Sequence, residues 1–220
     1  MLNMSVPILY SLQHCPYAMR ARMALLMARQ SVLLRAVVTK DKPEELLKIS
    51  PKATVPVLLF EDGSIIDESL DIMIWALQKN DPTDLLYIGK PEIYPQMLNL
   101  ISICDHEFRT KLSAYKHAKR YHQPQEIELR SQCEKFIQKL ESSLQKQEFI
   151  MGSKLSLADL AILPFVRQFV NVDKKWFRSA AHPHLSRWLE SMLQSLLFTK
   201  AMRKYPLWLE CREEFLLSWD

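Results

Sequence analysis

Among the side chains able to do chemistry, Cys15 has the most telling surroundings. It follows a short apolar run, Ile8–Leu12, and two connecting residues, Gln13 and His14, and it directly precedes Pro16. Proline suits the first turn of a helix, where its missing N–H costs nothing. Cys15 is therefore expected at or beside the N-cap of a helix running from Pro16 to Met27. At such a position the unpaired first-turn N–H groups and the positive end of the helix dipole face the sulfur and favour the thiolate, the attacking form. A lone cysteine is otherwise an inert core residue; the strand, loop and Cys-Pro helix start argue for function instead. Ala18 stands where a dithiol oxidoreductase carries its second cysteine. Without that thiol the expected chemistry is a mixed disulfide with a small thiol, resolved by exchange with a second one. Arg20 and Arg22 follow within two turns, adding positive potential or pointing to water.

Two other stretches carry possible binding groups. Val55-Pro56 opens an apolar run, and proline is tolerated at the start of a strand. In the cis form this bond turns the Val55 N–H and C=O outward, where an extended peptide ligand can pair with them. Asp67-Glu68-Ser69 opens a helix. Its free N–H groups and the Ser69 hydroxyl form a carboxylate site, and Glu68 offers a negative group to an ammonium; a plain N-cap explains the same residues. Ser156 and Asp159 form a variant capping box with Leu155 and Leu160 as its staple, which is a folding signal and not chemistry.

The elements that must position these groups follow from periodicity. Ile8–Leu12, Val32–Val38, Val55–Phe60 and Ser64–Ile66 read as strands, the last two joined by the Asp62-Gly63 turn. Pro16 to Met27, Glu44–Ile49 and Ser69–Leu77 read as helices. The order β-α-β-α-β-β-α, with right-handed crossovers, gives a mixed sheet of four strands. Residues 79–90 are polar and read as a linker. Beyond it, helices are expected over Pro91–Lys119, Gln125–Gln147, Leu157–Val170, His184–Gln194 and near Thr199, with Pro164 removing one backbone hydrogen bond.

Composition narrows the function classes. The chain has 220 residues, 48% of them hydrophobic, and a net charge of +4, which is too mild for a nucleic-acid binder without a concentrated basic stripe. The nearest stripe, Arg109, Lys111, Lys116, Lys119 and Arg120, alternates with apolar residues as a solvated helix face does. Only three glycines occur, so Gly-rich phosphate loops are excluded. The four cysteines, Cys15, Cys104, Cys133 and Cys211, lack ligand spacing, pointing to free thiols and no structural metal. Neither a leader pattern nor a span-length apolar window occurs, so a cytoplasmic protein without membrane contact is expected.

Taken together, Cys15-Pro16-Tyr17-Ala18 with Arg20 and Arg22, Lys42-Pro43-Glu44, Thr54-Val55-Pro56-Val57-Leu58 and Asp67-Glu68-Ser69 resemble the glutathione transferase superfamily, most nearly its cysteine-type, omega-like class. Gly152 followed by Ser156, Ala158 and Asp159 extends the resemblance into the second half. It implies an α/β thioredoxin-like domain over residues 1–78 with a four-stranded mixed sheet, a linker over 79–90, and an all-α bundle over 91–220. It further implies glutathione as co-substrate, no metal, no nucleic-acid partner and a homodimer. Cys15 would face the glutathione sulfur and Val55, beside cis-Pro56, would pair with the cysteinyl backbone. Glu68 and Ser69 would hold the γ-glutamyl end, and Lys42 the glycine carboxylate. Tyr17 replaces a phenylalanine common in omega-like members. Tyr17, Phe108, Arg109, Tyr115 and Trp176 are the candidates for the second-substrate pocket, against the competing role of packing. The implied activity is glutathione-dependent thiol transfer or reduction. Glutathione conjugation to small electrophiles, and a non-enzymatic regulator on the same scaffold, are the alternatives.

Overall fold

Leucine- and valine-rich runs of three to five residues alternate with helical patterns in the first third, and each forms an element. The computed structural model describes residues 6–220; the first five, on which part of the expectation about a leader rests, lie outside the described residues. In chain order come β1 (Ile8–Ser11), α1 (Pro16–Met27), β2 (Val32–Ala36), α2 (Glu44–Ile49), β3 (Val57–Leu59), β4 (Ile65–Ile66) and α3 (Ser69–Lys79). β1 runs parallel to β2, and β3 is antiparallel to both β1 and β4. Gly63, at φ +82, supplies the left-handed residue of the β3–β4 turn, while the Asp62 carboxylate accepts the Ser64 N–H at 2.9 Å.

Strand residues alternate between two buried faces. Leu9 and the fully buried Met23, Leu25, Leu26, Ile72, Met73 and Ala76 make one layer with α1 and α3. Tyr10, Val37, Leu46 and Val57 form a smaller cluster with α2. Each of the leucine, isoleucine, valine and methionine side chains contributes about 1.5–3 kcal/mol on burial.

The sheet has five strands, in the order β4-β3-β1-β2 followed by a strand from the far end of the chain, which corrects the expected four. Phe215–Leu217 pairs antiparallel with β2, Val32 opposite Leu217. It satisfies a row of backbone groups that would otherwise leave β2 an open edge. Three residues are too few for a period-two pattern to register in sequence. The division of the chain shifts accordingly. Among the described residues, 6–83 and Ser195–Asp220 form one compact unit and Asp84–Gln194 the other, where the sequence reading has 91–220 as a single helical domain.

The second unit contains α4 (Ile93–Ile103), a π-helical turn (Cys104–Phe108), α5 (Arg109–Arg120), α6 (Glu126–Leu144), α7 (Leu157–Val172), α8 (Lys174–Ser179) and α9 (Pro183–Gln194). The expected helix over 91–119 is thus one run interrupted by the π turn. The capping box forms at the start of α7, and the helix continues through Pro164. On α5, Leu112, Tyr115 and Ala118 are buried while Arg109, Lys116 and Arg120 are exposed, as a solvated basic face requires. The first unit is completed by α10 (Leu196–Ala201), α11 (Trp208–Cys211) and β5 (Phe215–Leu217). Six-residue α8 and four-residue α11 are too short to show helical periodicity. No helix among the described residues is long and apolar enough to cross a membrane.

Candidate active site

Cys15 is the N-cap of α1, with φ −70 and ψ 122, and Pro16 occupies the first helical position. The Cys15 carbonyl accepts the Met19 N–H at 2.9 Å, and its own N–H donates to the Leu12 carbonyl at 3.3 Å. The side chain makes no hydrogen bond to the first turn. Instead Sγ donates to the Val55 carbonyl at 3.7 Å. The sulfur thus sits at the helix end without the N–H contacts expected for it: Pro16 has no N–H, and Sγ is turned toward the Val55 carbonyl. The Val55-Pro56 bond is cis.

Cys15, Tyr17, Val37, Lys42, Thr54 and Val55 line one cavity of about 260 Å³, together with Leu12, Val38, Thr39 and Ala53. Among the described residues, Lys42 is the one cation in this mostly apolar lining. Ala18, in the place of a second cysteine, is wholly buried.

Glu68 and Ser69 are not among the residues lining this cavity. Glu68 is the N-cap of α3 but its carboxylate makes no capping hydrogen bond. It accepts from Lys52 Nζ at 3.0 Å, and Asp67 lies 3.2 Å from the same ammonium. Glu68 and then Asp67 hold the Lys52 ammonium above its ordinary range. Ser69 is 3% exposed, and its Oγ accepts from Arg20 Nε at 3.0 Å. The α3 start is therefore already furnished with a bridging lysine and a buried arginine.

Arg20 and Arg22 do not point to water. They are 2% and 1% exposed. The guanidinium of Arg20 also stacks 4.9 Å above the Tyr17 ring. Burial pushes Arg22 down to about 10, an effect opposed by charge on Cys15 and Tyr205. Neither position departs from an ordinary amphipathic helix in sequence, and Lys52 reads as one more surface lysine. Spacing offered no signal for these three.

The candidates from the second unit divide. Phe108 is 1% exposed and stacks on Phe136 at 4.7 Å; Tyr115 is wholly buried, 5.9 Å from Phe169. Both belong to the aromatic core of the helical unit, so the expectation that they line a pocket is corrected to packing. Arg109 is exposed, its Nε donating to the Asp105 carbonyl at 3.3 Å. Trp176 lies edge-on to Phe169 with the Arg130 guanidinium 4.3 Å above it.

The family model for the glutathione S-transferase N-terminal domain matches residues 9–84, and that for the C-terminal domain matches residues 103–195. This chain belongs to the glutathione S-transferase superfamily. The last 25 residues lie beyond both matches. Among curated glutathione S-transferases, a probable cytosolic one from Oryza sativa subsp. japonica, DHAR1, is 30% identical over 70% of this chain and 66% of its own length. One from Emericella nidulans, AN1595, is 21% identical over 74% of this chain and 63% of its own length. The chain thus spans just under two thirds of these curated relatives. The solved glutathione S-transferase of the Antarctic clam Laternula elliptica has the same fold, with a TM-score of 0.77 at 16% identity over 90% of this chain and 92% of that one.

Proposed function

We propose that this glutathione S-transferase is a cysteine-type, omega-like thiol transferase or reductase that works through a Cys15–glutathione mixed disulfide. One observation carries the reading: a helix-capping cysteine lines a cavity with Val55 and Lys42, and a buried alanine replaces the second thiol. Ionised Cys15 attacks the glutathionyl sulfur of a mixed disulfide, forming Cys15–S–S–glutathione and expelling the substrate thiolate, which takes a proton. A second glutathione thiolate attacks that disulfide, releasing oxidised glutathione and regenerating Cys15. The incoming glutathione thiolate is the reductant: its sulfur is oxidised to the disulfide as the substrate sulfur is reduced to the thiol, the glutathionyl sulfur keeps its disulfide oxidation level throughout, and no metal or redox cofactor is required.

The backbone of Val55, beside Pro56, pairs with the cysteinyl unit, and Lys42 meets the glycine carboxylate. The α3 start, with Glu68 and Ser69, takes the γ-glutamyl end, where Glu68 must exchange Lys52 for the ligand ammonium. Tyr17 borders the sulfur. The rice relative is named as a probable cytosolic glutathione S-transferase, DHAR1, which supports a cytoplasmic transferase. A homodimer fits the resemblance stated above. The deciding measurement is glutathione-dependent reduction of a peptide–glutathione mixed disulfide by the Cys15→Ser variant. Turnover should fall to background; turnover equal to the unsubstituted protein refutes the assignment. A protein that modifies an aromatic halide but leaves the disulfide intact is a conjugating transferase instead.

A further inference from the structure

Arg22 is the largest fully buried side chain in the described residues, and it carries a charge with no carboxylate against it. Its partners are all neutral. Nε donates to the Ala201 carbonyl at 2.7 Å. Nη1 donates to Ser11 Oγ at 2.5 Å and to the Leu12 carbonyl at 3.3 Å. Nη2 donates to the Gln13 carbonyl at 2.8 Å and reaches Met202 Sδ at 3.7 Å. A guanidinium has five N–H groups, and this list uses all of them. Burying an ion without a counter-ion is expensive, so the arrangement calls for a reason beyond packing.

The partners supply it. Ser11, Leu12 and Gln13 are the turn that delivers the chain from β1 to Cys15. The Leu12 carbonyl is shared between Arg22 and the backbone N–H of Cys15 itself. One oxygen therefore separates the guanidinium from the main chain of the reactive cysteine. On its other side Arg22 takes the final carbonyl of α10, one of the groups a helix C-terminus leaves unpaired. Gln13 makes the tie double, its Nε2 donating to the Met202 carbonyl at 2.7 Å.

We infer that Arg22 is a positioning residue for Cys15, and that it works by clamping the Ser11–Gln13 turn onto the C-terminal segment at Ala201–Met202. The segment after α9, which lies beyond the residues matched by the C-terminal domain family, thereby becomes part of the thiol site. The inference deepens the Cys15 reading proposed above. Lysine cannot replace Arg22: with three N–H groups on one nitrogen it cannot span the turn and α10 together.

The test uses the full chain carrying Cys211→Ala, which removes the other partly exposed thiol. Iodoacetamide alkylation of Cys15 in the native protein is compared across Arg22→Lys, Gln13→Ala and the parent, alongside kcat and KM for glutathione. Arg22→Lys, folded by circular dichroism and cooperative melting, should alkylate about tenfold more slowly and lose kcat by a similar factor, with KM within about twofold. Gln13→Ala, which removes only the bond to Met202, should show the same change at about threefold. A purely structural role would lower the melting temperature and leave both rates alone, and parent-like rates in either folded variant overturn the inference. If Arg22→Lys does not fold, Gln13→Ala decides by itself. Slowed alkylation in a protein without glutathione-dependent turnover would refute the proposed function and leave the clamp standing, because alkylation needs no glutathione.

Discussion

Replacing Asp159 with asparagine should expose how the helical unit is held together, with a dependence on pH that no other explanation shares. The Asp159 carboxylate is wholly buried. Oδ1 accepts the Ile150 N–H and the Trp188 indole N–H, each at 2.9 Å. Oδ2 accepts the Ser156 N–H at 2.9 Å and the Ser156 hydroxyl at 2.5 Å. An amide keeps one oxygen and presents N–H groups at the other site. The hydroxyl of Ser156 can rotate to accept from that amide, but the Ser156 N–H is left unpaired, a loss of about 1–3 kcal/mol. Burial raises the Asp159 carboxyl from an ordinary 3.8 to about 6, against the pull of its hydrogen bonds. Between those values the folded state holds a proton that the unfolded state has lost, so stability falls as pH rises through this window. A rise from 3.8 to about 6 corresponds to about 2–3 kcal/mol. Asparagine has no such dependence. Its deficit relative to aspartate should therefore be about 2–3 kcal/mol larger at pH 4 than at pH 7. Urea unfolding followed by circular dichroism at four pH values measures it. A deficit that is flat with pH, or that grows toward neutrality, refutes the raised carboxyl.

Lys52→Met removes the ammonium that bridges Asp67 and Glu68, so the α3 start should bind a ligand ammonium more readily. Glutathione titrated by calorimetry at low salt should bind tighter, and weaker binding would make Lys52 part of the ligand site. Gly152→Ala would place a Cβ 3.1 Å from the Tyr87 hydroxyl oxygen, which also donates to the Lys154 carbonyl at 2.7 Å. The tyrosine must give, at about 1 kcal/mol. Thermal melting should show the loss, and an unchanged midpoint would mean that the contact relaxes freely.

Local physics was legible residue by residue. Cys15-Pro16 announced a helix start because proline needs no N–H there, and the structure has Cys15 as the N-cap. Ser156 and Asp159 announced a capping box because the two side chains answer each other's backbone over three residues. Phe108 and Tyr115 were ambiguous for a physical reason. An aromatic residue at helical spacing looks the same whether it faces a core or a pocket, and only their burial assigns them to packing.

Short-range pattern thus determined the strand and helix order of the first third, the place of Cys15 at a helix end and the absence of a second thiol beside it, since each depends on residues a turn or two apart. Tertiary structure alone decided that Phe215–Leu217 completes the sheet and that Arg22 joins the Cys15 turn to Ala201, 179 residues away. A buried arginine and an exposed one have the same place in the helical repeat. Which it becomes is set by acceptors that the chain brings back from its far end.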